Sequence, residues 1–187
     1  MSELARAEVC RPERPGEVAA LRDVVARSFG EPVVADLVEA LRVSTAWVPG
    51  LSFVAEYDGG VIGQALFTRS VLDAPRRLVD VLVLSPVAVM PDFQGRGIGT
   101  VLIRHGLDAV RQRVEPLVFL EGSPRYYPRF GFEPAEPLRF RRPSLRIPEP
   151  AFQVLKLPAY EPWMTDTLVY SQAFWDLDCV GLRDPTA

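Results

Sequence analysis

From Val87 to Thr100 the chain reads V-A-V-M-P-D-F-Q-G-R-G-I-G-T, with three glycines in five positions. A β-rich run precedes them and an amphipathic helical pattern follows. Glycine weakens the interior of a regular element by roughly 0.5–1 kcal/mol, so this cluster points to a task for the backbone itself. At a strand-to-helix junction that task is anion binding. The first amides of a helix have no intrahelical acceptor and sit at the positive end of its dipole. Side chains at Gly95, Gly97 and Gly99 would cover those amides, and Arg96 adds charge beside them. Two phosphate loops fail to match. No lysine followed by Ser or Thr is present for a Walker A loop, and G-x-G-x-G replaces the G-x-G-x-x-G of a dinucleotide fingerprint. A third pattern, Q/R-x-x-G-x-G/A, is filled by Gln94 to Gly99.

The surrounding elements have to aim this loop. "ELARAEVC" predicts a short strand. Two helices follow: "PGEVAALRDVVARSFG", with Val18, Leu21, Val24, Val25 and Phe29 at helical spacing, and "EPVVADLVEALRVS". "LSFVAEYDGGVIGQALFTRSVL" is a hairpin turning at Asp58-Gly59-Gly60. "RLVDVLVLSPVAV" is a long, nearly continuous apolar strand, the pattern of burial on both faces. It enters the glycine loop and a helix over about Gly97 to Arg113. "EPLVFLEG" reads as a strand and "SPRYYPRFGFEPA" as a short helix stopped at Gly131, then a strand. Leu138 to Pro150 reads as irregular and "AFQVLKL" as the last strand. Trp163, Tyr170, Phe174 and Trp175 in the remaining tail are expected to pack back on the fold.

Composition narrows the function classes. The 187 residues suit one domain, and 48% hydrophobic with 24% charged residues is ordinary for a globular chain. A net charge of −3 argues against a general nucleic-acid binder. Two cysteines, Cys10 and Cys179, lack metal-ligand spacing, and one histidine, His105, leaves little material for a His-based metal site or a Ser-His-Asp triad. The N-terminal stretch is charged and no run approaches about 20 apolar residues, so neither a signal peptide nor a membrane span is expected. A cytoplasmic protein with reduced thiols follows as the default.

The glycine loop, with its strand, its proline turn and its helix, resembles the coenzyme A pyrophosphate loop of the Gcn5-related N-acetyltransferases (GNAT). The likeness covers about residues 4–157 and is strongest to the bacterial YhbS-like branch, through Ser85-Pro86-Val87-Ala88-Val89 and Tyr126 to Phe132. It implies an α+β fold: a mixed, mostly antiparallel sheet flanked by helices, with strands 4 and 5 splayed. Residues 1–187 would form a single acetyltransferase domain, with 158–187 as an extension packed on its core. It further implies acetyl-CoA as cosubstrate, held by Val87, Ala88, Val89, Gln94, Gly95, Arg96, Gly97, Ile98, Gly99 and Thr100, and an amine as acceptor. Val87 and Val89 would pair their backbone with the pantetheine arm as an added strand does.

Acetyl transfer to an amine needs a polarised thioester carbonyl, an amine that loses a proton and a thiolate that gains one. The Val89 amide suits the first requirement. Tyr127 matches the tyrosine that protonates the sulfur in many relatives, with Tyr126 the weaker candidate. Relatives that carry a glutamate on the long strand have no counterpart in the apolar Val81 to Leu84. Glu121 is therefore the candidate base or the group that recognises a cationic acceptor, ahead of Asp80, while His105 reads as structural. Neither cysteine has an activating partner, so direct transfer is expected. The rivals are a non-catalytic acyl-CoA-binding regulatory module and a nucleotide-binding module.

Overall fold

The computed structural model describes residues 9–182, so most of the expected first strand falls outside the described residues. The elements are β1 (Val9–Pro12), α1 (Val18–Phe29), α2 (Val33–Arg42), β2 (Ser52–Tyr57), β3 (Gly60–Asp73), β4 (Leu78–Val89), α3 (Ile98–Val110), β5 (Leu117–Glu121), β6 (Glu133–Pro134), β7 (Phe140–Arg141), β8 (Phe152–Lys156), β9 (Asp166–Val169) and α4 (Gln172–Asp176). Among the described residues the strands join in the order β1-β2-β3-β4-β5-β8-β6, and β9 pairs with β3 and β7. The sheet is mixed and mostly antiparallel, as expected. No helix among the described residues is long and apolar enough to cross a membrane.

These residues fall into two compact units, 9–68 with 84–113 and 69–83 with 114–182. In the first, β1 runs antiparallel to β2, and β2 pairs with β3 from Ser52↔Leu66 to Tyr57↔Gly60 across the Asp58-Gly59 turn. A bulge between Ala55 and Glu56 interrupts that register. Leu21, Val24 and Val25 of α1 and Leu37, Val38 and Leu41 of α2 are buried as the helical spacing predicts, whereas Val18 and Phe29, at the two ends of the predicted α1 stripe, are exposed. α3 buries Leu102, Ile103, Leu107 and Val110. It approaches the strands so closely that a Cβ at Gly106 would run into the Phe67 ring. This contact fixes the axis of the helix that the glycine loop opens.

In the second unit β4 and β5 are parallel over Leu82↔Val118 and Val83↔Phe119, the short register that splayed strands require. β5 then pairs antiparallel with β8 from Leu117↔Lys156 to Glu121↔Phe152. Phe119 stacks on Phe152 at 5.6 Å and meets Phe140 edge-on at 5.2 Å. "AFQVLKL" is not the last strand: β9 joins the end of β3 through Val71↔Val169, Leu72↔Leu168 and Asp73↔Thr167. Only Leu168 of β9 is buried, so its sequence carries no alternation by which to recognise it. The expected irregular stretch 138–150 contains β7 and the buried anchors Phe140 and Ile147. Of the tail aromatics Tyr170 and Phe174 are buried and stacked at 4.7 Å, whereas Trp175 is 37% exposed.

Candidate functional site

β4 ends with alternating exposure: Pro86 and Ala88 are buried, Ser85, Val87 and Val89 half-buried. The Val89 backbone is engaged on both sides. Its N–H donates to Ser28 Oγ at the end of α1 (3.2 Å), and its carbonyl accepts Gln94 Nε2 (3.0 Å). A single 3-10 turn over Pro91–Phe93 follows, with the Phe93 ring 5.4 Å from Tyr57 and the Arg96 guanidinium 5.5 Å over the Phe93 ring. The chain thus passes from strand to helix through a turn clamped at both ends.

Gly95 and Gly97 adopt φ of +73° and +83°, the left-handed region that L side chains rarely enter. A Cβ at either would meet nothing within 4 Å, so backbone conformation, not crowding, calls for glycine at both. Gly97 caps α3 without a side-chain hydrogen bond, and the first turn of α3 holds no acidic residue. No capping side chain covers the start of that turn, where helix amides lack intrahelical acceptors. Such a mouth fits a diphosphate group. Ile98 is buried in the core, so only its backbone can serve a ligand.

In the other unit, Tyr127 opens a 3-10 turn over Tyr127–Phe130, where the sequence predicts a short helix, and Gly131 ends it as expected. The Tyr127 ring lies close against the backbone just after β5: a Cβ at Gly122 would run into it. Tyr126, Phe130 and Phe132 surround it with centroids at 5.1, 6.3 and 5.9 Å. Its hydroxyl has no hydrogen-bond partner among the described residues. Burial, and secondarily the neighbouring Tyr126, pushes its pKa up to about 12, so the phenol keeps its proton at neutral pH. Tyr126 instead lies under the Arg129 guanidinium, 4.6 Å from its ring centroid.

Glu121 faces a different set of partners. One oxygen accepts the Tyr170 hydroxyl (2.9 Å), the other the Gly181 N–H (3.1 Å). Burial raises its pKa against the opposing pull of these bonds and of Arg146. The carboxylate thereby fastens residues 170–181 to the end of β5. Asp80 is exposed, with Arg69 Nε 3.7 Å away. His105 meets Phe53 edge-on at 5.3 Å, a packing role. Cys10 and Cys179 form no disulfide, and burial lifts the Cys10 thiol to about 11, away from nucleophilic use. No group of three or more His, Cys, Asp and Glu suited to a metal occurs among the described residues. Nothing in the sequence marks Ser28 or Gly122 as a site residue, and it marks Tyr170 only as a packing aromatic, not as the partner of Glu121. Each acts across a fold contact, Ser28 over 61 positions and Tyr170 over 49, and nothing local marks those pairings.

A family model described as an acetyltransferase (GNAT) domain matches residues 10–135. The chain is 40% identical over 114 residues to YjhQ of Escherichia coli strain K12, described as an uncharacterized N-acetyltransferase. That match covers 61% of this chain and 63% of YjhQ, less than two thirds of its length. It is 33% identical over 149 residues to YhbS of the same strain, covering 79% of this chain and 86% of YhbS. The crystal structure of Escherichia coli YhbS in complex with CoA superposes with a TM-score of 0.80 at 29% identity, over 93% of this chain and 94% of that one. A GNAT family acetyltransferase from Brucella melitensis in complex with acetyl-CoA gives 0.70 at 32%, over 89% and 97%.

Proposed function

The chain belongs to the GNAT acetyltransferase family, and on that premise we propose that it moves an acetyl group from acetyl-CoA to a primary amine by direct transfer. The observation that carries this is the loop at Gly95 and Gly97, where two left-handed glycines open an uncapped helix N-terminus free of acidic residues. Two relatives solved with CoA or acetyl-CoA support the same cosubstrate.

Acetyl-CoA would supply an activated thioester; the remaining tasks fall to the chain's own residues. The amides of Gly97 to Thr100 would receive the diphosphate, with Gln94 holding the turn through the Val89 carbonyl. Val87, Ala88 and Val89 would line the pantetheine arm. The Val89 N–H would polarise the thioester carbonyl, which requires that Ser28 Oγ give up the hydrogen bond it now accepts. Tyr127, with an unpartnered hydroxyl that stays protonated, would donate its proton to the departing sulfur. Glu121 is the carboxylate to test as base. Both of its oxygens already serve residues 170–181, so we assign it to positioning and leave the amine's proton to water.

The experiment is acetyl-CoA-dependent thiol release with a panel of primary amines, alongside calorimetric binding of acetyl-CoA. Release with at least one amine is expected. Binding without release across the panel would favour the regulatory module.

A further inference from the structure

A cleft of about 660 Å³ lies wholly within the unit formed by 69–83 and 114–182, walled by Glu136, Arg139, Arg141, Arg142, Thr165 and Asp166 among others. We propose that it binds a small molecule through a carboxylate or phosphate group. Its size falls in the range of small-molecule sites. In a chain of net charge −3, its wall places three guanidinium groups against two carboxylates. Arg142 Nη1 stands 2.9 Å from Glu136 Oε1, and Arg141 Nε 3.5 Å from Asp166 Oδ1. That Asp166 oxygen also accepts the Thr167 hydroxyl at 2.9 Å, which divides its charge further. The Arg139 guanidinium has no ion pair or hydrogen bond among the described residues.

Arg142 adds a second unmatched donor. Its side chain is only 17% exposed, yet its Nε has no hydrogen-bond acceptor, a condition that buried polar groups seldom keep without a reason. Next in sequence to the cleft's Pro75, Arg76 and Arg77 set their guanidinium groups 5.2 and 5.3 Å over Trp163, whose Nε1–H donates to Glu161 at 2.8 Å. Arginine forks match the oxygens of carboxylates and phosphates two at a time, whereas a neutral ligand would leave this charge unanswered.

The wall is also rigidly built. Arg139 and Asp166 hold φ of +67° and +96°, and the Asp166 N–H donates to the Arg139 carbonyl at 3.0 Å. β7 and β9 pair in parallel directly behind them, Phe140↔Asp166 and Arg141↔Thr167, anchored by the buried Phe140. Left-handed backbone at non-glycine residues persists where the surroundings over-determine it, and such places cluster at ligand sites. A concave wall of this size suits a small anion better than an extended polyanion.

The test is calorimetric titration of the full chain at low ionic strength. Inorganic phosphate and succinate probe the two oxyanion sources, with erythritol as neutral control. One anion is expected to bind saturably and erythritol not at all. Arg139→Glu, at an exposed position, should weaken that binding at least tenfold and leave the thermal shift with acetyl-CoA unchanged. Arg141→Gln, also exposed, should weaken it in the same direction. Failure of both anions to saturate, or affinity within twofold of wild type in both variants, would overturn the site. So would binding of a single-stranded RNA 12-mer that the variants abolish while the small anions stay inert. Because acetyl-CoA binding is read separately, its loss would count against acetyl transfer and not against this cleft.

Discussion

The glycine loop and the Tyr127–Glu121 region are built on opposite principles. In the loop, the groups offered to a ligand are backbone amides, and their placement follows from residues a few positions apart: Val89 joined to Gln94, and two left-handed glycines before α3. At Tyr127 and Glu121 the groups are side chains. Their state is set by Gly122 beneath a ring, by Tyr170 and by Gly181, up to 60 positions away. A site made of backbone is specified by local sequence; a site made of side chains is specified by the fold. The two should therefore break differently.

Gly97→Asp attacks the backbone site and should have the largest effect. It adds a side chain and a negative charge at the helix N-terminus, where an anion has to sit. Wild type at 100 times its acetyl-CoA dissociation constant gains about 2.7 kcal/mol of stability, and the variant should gain none. An unchanged thermal shift would remove the loop from the binding site. Tyr127→Phe comes next, deleting a hydroxyl while keeping the ring on Gly122. Expected is a kcat loss of about 10²-fold with acetyl-CoA affinity nearly unchanged, the size of effect of a positioned general acid. With its pKa pushed up to about 12, Tyr127 should also contribute no alkaline limb to the rate below pH 10. Wild-type turnover in the variant would hand the proton transfer to another donor.

Glu121→Gln should act on stability more than on rate. Glutamine can still accept from Tyr170 but offers one carbonyl oxygen where the carboxylate serves two donors. The loss should be about 1–2 kcal/mol, with kcat within threefold. The pH dependence has a definite sign. Burial raises the Glu121 pKa in the folded state, so its contribution is fully present below the usual value of 4.5 and fades as pH climbs through the raised one. Denaturation scans across pH 4–8 should show wild type losing stability relative to the variant as pH rises. A tenfold kcat loss in a stable Glu121→Gln protein would instead restore Glu121 as the base. Ser28→Ala is the mildest change. Freeing the Val89 N–H should tighten acetyl-CoA two- to tenfold, since one hydrogen bond is worth about 0.5–1.5 kcal/mol. Unaltered affinity would mean that the thioester does not use this amide.

The same contrast explains what the sequence disclosed. The central helical stripes of α1 and α2, the Asp58-Gly59 turn and the path from β4 through the loop into α3 are local patterns and stand where the periodicity puts them, while Val18 and Phe29 at the ends of α1 stay exposed. The two-residue β7 and the four-residue β9 were not legible, because they are held by pairing with distant strands and bury one side chain apiece. Tyr127 was legible as a position but not its setting, since nothing in the sequence foretells a ring laid on Gly122. Glu121 was visible as a lone carboxylate at a strand end. Its partners Tyr170 and Gly181 lie in a tail whose aromatic content announced packing but not its target.

The most direct test of the central claim is acetyl-CoA turnover by the full chain, followed as free thiol across a panel of primary amines, with Gly97→Asp measured in parallel. Amine-dependent thiol release by wild type, with mass-spectrometric detection of the acetylated amine and none with Gly97→Asp, is the predicted result. Saturable acetyl-CoA binding with no release above buffer for any amine would contradict it.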